Sequence, residues 1–98
     1  MKTKFDFNDG NGVVSAHKHP KGGGWVADSA MVGANVYIGK DALVYGVARV
    51  YSEVQVYGEA RVYGKALLSG EARVYDEAHV FDNILIYGEN FKNLKFFF

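Results

Sequence analysis

Histidine is the residue type in this 98-residue chain that is best suited to metal binding or proton transfer, and it occurs three times. His17 and His19 are one residue apart, so an extended strand would place both imidazole rings on the same face. Two imidazoles at this spacing can bind a metal ion, although symmetry or another residue must complete a tight site. The pair is also compatible with packing at a subunit interface or cap, and with exposure to solvent. His79 is the one candidate general base in the second half of the chain, and we expect no bound cofactor.

Three arginines with tyrosines nearby form a second set of candidate binding residues. Each arginine is followed two residues later by a tyrosine. A guanidinium group beside an aromatic ring can stack on a nucleobase or a nucleotide, and both residue types are enriched at protein–protein contacts. Two leucines that lie eighteen and thirty-six residues after Arg49, at the same position of the repeat, complete the set. The predicted partner- or ligand-binding residues are Arg49, Tyr51, Arg61, Tyr63, Leu67, Arg73, Tyr75 and Leu85.

The overall composition excludes several classes of function. Basic and acidic residues number 11 each, so we expect neither binding to extended nucleic acid nor attraction to a membrane. The chain has no cysteine, which excludes disulfides and thiolate zinc sites. No apolar stretch is long enough to span a bilayer. The first nine residues alternate charged and aromatic side chains, unlike a signal peptide, so we expect a cytoplasmic protein.

A six-residue repeat runs through two-thirds of the chain and decides the fold class. It continues without insertion from residue 26 to residue 91. One position of the repeat is always a branched aliphatic residue: Val26, Val32, Ile38, Val44, Val50, Val56, Val62, Leu68, Val74, Val80 and Ile86. The position four residues later is small or β-branched in all but its last occurrence: Ala30, Val36, Ala42, Ala48, Val54, Ala60, Ala66, Ala72, Ala78, Ile84 and Asn90.

Each repeat alternates inward and outward side chains and then turns, as in Ala60-Arg61-Val62-Tyr63-Gly64-Lys65. Alternation places the alanine and the valine on one side of a short strand and the arginine and the tyrosine on the other. Glycine and a polar residue then form the corner. A helix is excluded because a period of six does not match 3.6 residues per turn. An antiparallel meander fits less well, because its two-residue turns would need glycine-rich sequences throughout.

The repeat resembles that of the left-handed β-helix family of hexapeptide-repeat proteins, the bacterial transferase hexapeptide type. The family unit reads aliphatic-Gly-x-x-small-x, and Ile38-Gly39-Lys40-Asp41-Ala42-Leu43 matches it throughout. The resemblance implies an all-β fold, a single left-handed parallel β-helix with short N- and C-terminal caps. It also implies three hexads, or eighteen residues, per turn. Because related proteins are commonly trimers, the resemblance implies a homotrimer as well.

The chain divides into three parts on this interpretation. Residues 1–24 form a hairpin-like N-terminal cap and a flexible glycine junction, because Phe5 and Phe7 alternate with charged residues ahead of a dense turn signal. Residues 25–91 form the β-helix of eleven hexads. Residues 92–98 form a C-terminal aromatic cap, which we expect to fold under the last turn or insert into a neighbouring subunit. Caps are needed because a stack of coils leaves open strand edges and core at both ends.

Residues eighteen apart would stack into outward columns on each face. The second face carries Met31, Arg49, Leu67 and Leu85 in one column and Gly33, Tyr51, Ser69 and Tyr87 in the next. Three aliphatic residues in an outward column differ from the charged surface of a soluble monomer and indicate an interface. We expect a trimer contact through this face or the first. The tyrosine columns are also explained as aromatic ladders that support neighbouring strands.

These features predict a non-enzymatic, trimeric module that binds a protein partner or self-assembles. The alternative is binding of a nucleotide or small ligand in clefts between subunits. A third hypothesis is that the protein is a residual acyltransferase-type enzyme, because many hexapeptide-repeat proteins are acyltransferases. This chain departs from them in lacking an extruded loop and a helical C-terminal domain. Residues 10–20 resemble uncharacterised bacterial and prophage hexapeptide proteins, which would imply a phage accessory or host-factor-binding role.

Overall fold

The computed structural model describes residues 3–88, and every regular element in that range is a β-strand. Most strands are two residues long, as expected for hexads that each contain a corner. The strands are β1 (Lys4–Asp6), β2 (Val13–Lys18), β3 (Trp25–Ala27), β4 (Met31–Val32), β5 (Tyr37–Ile38), β6 (Leu43–Val44), β7 (Arg49–Val50), β8 (Gln55–Val56), β9 (Arg61–Val62), β10 (Leu67–Gly70), β11 (Arg73–Val74), β12 (His79–Val80) and β13 (Leu85–Gly88). None of the described residues forms an apolar helix of bilayer-spanning length.

Successive strands pass through three sheets in turn, which makes the fold a parallel β-helix. Face one contains β3, β6, β9 and β12, face two contains β4, β7, β10 and β13, and face three contains β5, β8 and β11. All pairs within these sets are parallel. Leu43 pairs with Arg61, and Arg61 with His79, which confirms the predicted offset of eighteen residues and the predicted outward columns.

The interior of the β-helix is a column of valines, alanines and a few larger aliphatic residues. The aliphatic and small positions of the repeat form one continuous buried cluster, in which only Val32 and Ile84 are partly buried. Most members have no exposed surface. The inward positions predicted from the repeat are therefore confirmed throughout the described part of the chain. Complete burial stabilises the fold by about 1.5–3 kcal/mol for each valine or leucine side chain.

The corners use a left-handed backbone conformation at every sixth residue from 46 to 82. Gly46, Gly58, Gly64 and Gly70 have positive φ values there, and so do Ser52, Asp76 and Asp82. Aspartate tolerates this conformation better than most residues, because its short polar side chain can hydrogen-bond locally. Backbone atoms of adjacent turns also approach closely at these corners. A Cβ atom on Gly64 would lie 2.7 Å from the backbone nitrogen of Asp82.

The N-terminal residues form a hairpin that continues the sheet of face one. Strand β1 pairs antiparallel with β2, and β2 pairs antiparallel with β3. The loop between the hairpin strands contains Asn8, Gly10 and Gly12, all with positive φ, as the turn signal in the sequence predicts. Because β2 occupies the outer edge of β3, the hairpin protects an edge strand that would otherwise be open to intermolecular pairing.

The glycine segment after the hairpin is paired with face three rather than forming the flexible junction expected from the sequence. The amide of Gly24 donates to the Ile38 carbonyl at 2.9 Å, and the Ile38 amide donates to the Lys21 carbonyl at 3.0 Å. A Cβ atom on Gly22 would lie 2.2 Å from the Ile38 carbonyl oxygen, so this close backbone approach requires glycine. The C-terminal aromatic cap predicted for residues 92–98 lies outside the described residues.

We predict that Gly64→Ala destabilises the protein considerably more than Gly12→Ala. The two glycines have nearly the same φ, 69° and 70°, but nothing lies within 4 Å of a Cβ atom on Gly12. Gly12→Ala should therefore lower the free energy of unfolding only by the cost of the left-handed conformation, about 1 kcal/mol. Gly64→Ala adds a clash with the next turn, and we expect a loss of about 2–4 kcal/mol in urea unfolding. Equal losses for the two variants would contradict the stacked corners.

Candidate functional site

A ladder of stacked aromatic rings runs along the outer side of face one. The ring centroids of Tyr45 and Tyr63 are 4.9 Å apart with an interplanar angle of 4°. Phe81 continues the stack below Tyr63 at 5.3 Å and 9°. At the top, Phe7 from the hairpin stacks on Tyr45 at 4.9 Å and 23°. The eighteen-residue register supplies three of these rings, and the hairpin supplies the fourth.

The hairpin folds over the upper half of face one and encloses a second, smaller core. Phe5 stacks on Trp25, with ring centroids 4.7 Å apart. Phe7 is fully buried, as are Ala16 and Ala27. Phe5 lies on β1 and Phe7 directly follows the end of that strand at Asp6, and the rings of both reach face one. Face one is therefore partly an interior surface, and its upper half is not open to a partner.

Arg61 links the hairpin to the β-helix. Its Nη1 donates to the carbonyl oxygen of Phe7 at 3.5 Å. Burial raises the pKa of the Tyr45 hydroxyl above its ordinary value of 10.0, while the hydrogen bond and positive charge of Arg61 act in the opposite direction. The predicted binding residues Arg61 and Tyr63 thus lie together on face one. One N–H donor of the Arg61 guanidinium is already hydrogen-bonded within the chain.

An open groove of about 580 Å³ runs beside the aromatic ladder, along the corner that leads into face one. Its lining residues come from two columns of the β-helix: Asp41, Glu59 and Glu77, and Leu43, Arg61 and His79. Each column contributes one residue per turn, with the turns about 4.8 Å apart. His79 is half-buried, and its Nδ1 lies 3.5 Å from the hydroxyl oxygen of Tyr63.

The carboxylate column of this groove was not among the residues singled out from the sequence, although its spacing was available there. Asp41, Glu59 and Glu77 are eighteen residues apart and occupy the same corner position of the repeat. The residues predicted from their chemistry, such as Arg61 and His79, lie at strand positions. Applying the register to the corner positions as well would have found the column.

Face two carries four of the predicted binding residues on a largely apolar surface. Arg49, Leu67 and Leu85 lie in one column, in register with Met31 at the top. Met31 and Leu85 are 56% and 55% exposed, and Leu67 is half-buried between its neighbours. The Tyr51 hydroxyl oxygen lies 3.9 Å from the Met31 sulfur. The predicted contact residues Arg49, Tyr51, Leu67 and Leu85 are therefore brought together on this face.

Face three holds the remaining two predicted binding residues, Arg73 and Tyr75. Arg73 is exposed in β11 and paired in register with Gln55. Tyr75 stacks on Tyr57, with centroids 5.5 Å apart and an interplanar angle of 12°. The three arginines are twelve residues apart, which is two hexads, so each falls on a different face. Within one chain, no two of the three predicted Arg–Tyr pairs share a face.

The two N-terminal histidines have different environments and different partners. The Nδ1 of exposed His17 lies 2.7 Å from the Asp28 carboxylate. His19 is 4% exposed, and its Nε2 donates to the Val36 carbonyl oxygen at 2.6 Å. Strand β2 ends at Lys18, so the alternation that would have aligned the two rings stops between them. Residues 3–88 contain no group of three histidine, aspartate or glutamate residues placed to hold a metal ion.

We predict that stability falls as the pH rises above about 10 and that Tyr45→Phe reduces this fall. A hydroxyl whose pKa is raised by folding contributes stability that is complete below its unfolded pKa, about 10, and is lost as the pH rises through its folded pKa. The measurement is urea unfolding at about pH 8 and about pH 11. Tyr37→Phe is the control because Tyr37 is exposed on face three, and it should retain the wild-type loss. The same reduction in both variants would contradict a special role of Tyr45.

Comparisons of the chain with protein-family models, with curated proteins and with solved structures find no match. The repeat, the register and the surfaces described above are therefore the basis for proposing a function.

Proposed function

We propose that this chain is a hexapeptide-repeat protein of the left-handed type and that it acts as a non-enzymatic assembly module, with copies associating through face two into a symmetric trimer. The observation that carries the proposal is the row of apolar side chains that face two exposes. Met31, Leu85 and Tyr87 are each more than half exposed, and Leu67 joins Met31 and Leu85 in the same column. Exposed apolar patches of this kind mark interaction surfaces in soluble proteins.

The other two faces are less suited to association. The hairpin already covers the upper half of face one, and the groove beside it is lined mainly by charged residues. Face three presents Arg73, exposed, and the stacked pair of Tyr57 and Tyr75, both half-buried. Tyr37 is 37% exposed there and is the one large apolar side chain of face three in the exposed class among residues 3–88. Of the three faces, association through face two would therefore remove the most apolar surface from water.

Charge also favours face two as a contact between copies. Arg49 is the only charged residue among its described outward positions, and it is exposed. The corner after face two carries Glu53 and Glu71, one turn apart and both exposed. In a symmetric ring, the edge of one copy meets the face of the next, so Arg49 would lie near a glutamate of the neighbour. Such complementarity fixes register and orientation more than it adds affinity.

We predict that the wild-type protein is a trimer and that Leu67→Glu with Leu85→Glu makes it a monomer. The carboxylate at position 85 would be buried without a partner at the contact, because Arg49 adjoins position 67 and not position 85. Such burial costs several kcal/mol. The measurement is native mass spectrometry together with light scattering at a protein concentration of roughly 100 µM. At this concentration a trimer is populated if its dissociation constant is below this value. Circular dichroism checks that the variant keeps its strands.

The matched control is Gln55→Glu, which places a carboxylate at the equivalent outward position of face three. We expect this variant to remain trimeric. A wild-type monomer at this concentration, or a double variant that stays trimeric, would overturn the proposal. Loss of the trimer in the Gln55→Glu variant alone would assign the contact to face three instead.

A further inference from the structure

The groove on face one adjoins a place where the protein already binds an extended segment, namely its own hairpin. Phe5 of strand β1 stacks on Trp25, and Phe7, the residue after the strand, stacks on Tyr45. Arg61 donates to the backbone carbonyl of Phe7. Face one thus recognises an extended strand in two ways, by aromatic stacking on the ladder and by a side-chain donor to the main chain.

Both means of recognition continue below the hairpin. Tyr63 and Phe81 extend the ladder beyond Tyr45, and both are half-buried rather than covered. His79 follows Arg61 in the next turn, on the floor of the groove. When its Nδ1 accepts from the Tyr63 hydroxyl, its Nε2 carries the proton and can donate to a ligand carbonyl.

The rim of the groove adds negative charge that the described chain does not neutralise. Asp41, Glu59 and Glu77 lie one above the other, and like charges stacked on adjacent strands repel. Within residues 3–88, none of these three carboxylates makes an ion pair or a side-chain hydrogen bond; the ion pair in that range joins His17 and Asp28. A ligand with positive groups at a similar spacing would relieve the repulsion.

We propose that this groove binds an extended peptide segment in which basic and aromatic side chains alternate. The carboxylates of Glu59 and Glu77 receive the basic side chains, and Arg61 and His79 donate to peptide carbonyls between them. The aromatic side chains pack against the ladder at Tyr63, as Phe7 stacks on Tyr45 higher up. A membrane or nucleic acid surface does not fit, because the exposed rim of the groove is negatively charged.

The test is a titration of ¹⁵N-labelled protein with the synthetic peptide Lys-Phe-Lys-Phe-Lys, blocked at both ends and followed by NMR. We expect shifts confined to the amides around Arg61 and His79, with Kd below about 1 mM. The double variant Glu59→Gln, Glu77→Gln should weaken binding at least about fivefold. The control Asp6→Asn, Asp9→Asn removes two exposed carboxylates of the hairpin that do not line the groove, while asparagine retains the side-chain oxygen that accepts the turn hydrogen bonds. This control should leave Kd unchanged.

Two comparison peptides separate the parts of the proposal. Glu-Phe-Glu-Phe-Glu should not bind, and Lys-Ala-Lys-Ala-Lys should bind at least about fivefold more weakly than the aromatic peptide, because stacking is lost. Equal weakening by the glutamate pair and by the control pair of aspartate substitutions would mean general attraction between charges and would overturn the site. So would equal affinity for the alanine peptide or absence of binding. Repeating the titration with Leu85→Glu separates this result from the assembly proposal, because that residue lies on face two.

Discussion

The eighteen-residue register between parallel strands is the constraint on which every other feature of this protein depends. It is maintained by inward valines and alanines that form one continuous buried cluster, and by corners that turn after each pair of strand residues. A core of this kind loses contacts on several turns at once if one hexad slips, because a shift by one residue would exchange inward and outward side chains. The regular repeat of the sequence therefore allows only one pairing register between the strands.

The register also determines the surface chemistry. Residues eighteen apart become neighbours, so a repeated residue type becomes a column: tyrosines become a stacked ladder, glutamates a line of charge, and leucines an apolar strip. Residues twelve apart lie on different faces, so Arg49, Arg61 and Arg73 cannot act together within one chain. A β-helix of this type is better suited to presenting linear arrays than to surrounding a substrate with converging groups.

The sequence predicted the repetitive part of the structure residue by residue, whereas for the N-terminal part it predicted a hairpin-like cap but not its contacts. The core residues, the outward columns and the apolar strip on face two follow from periodicity and strand alternation alone. The covering of face one by the hairpin does not, because it depends on the antiparallel pairing of β2 with β3, and no spacing encodes that contact. The sequence left open whether His19 is buried in the cap, because its partner is a backbone carbonyl on another turn, and backbone groups leave no mark in a sequence.

Both proposed surfaces follow from the parallel pairing of strands eighteen residues apart. Cross-strand nuclear Overhauser effects measured on the labelled protein test it most directly. We expect contacts between Arg61 and His79, between Arg49 and Leu67, and between Gln55 and Arg73, one pair for each face. Contacts linking successive hexads in an antiparallel meander, with none at the eighteen-residue spacing, would contradict the fold and both surfaces built upon it.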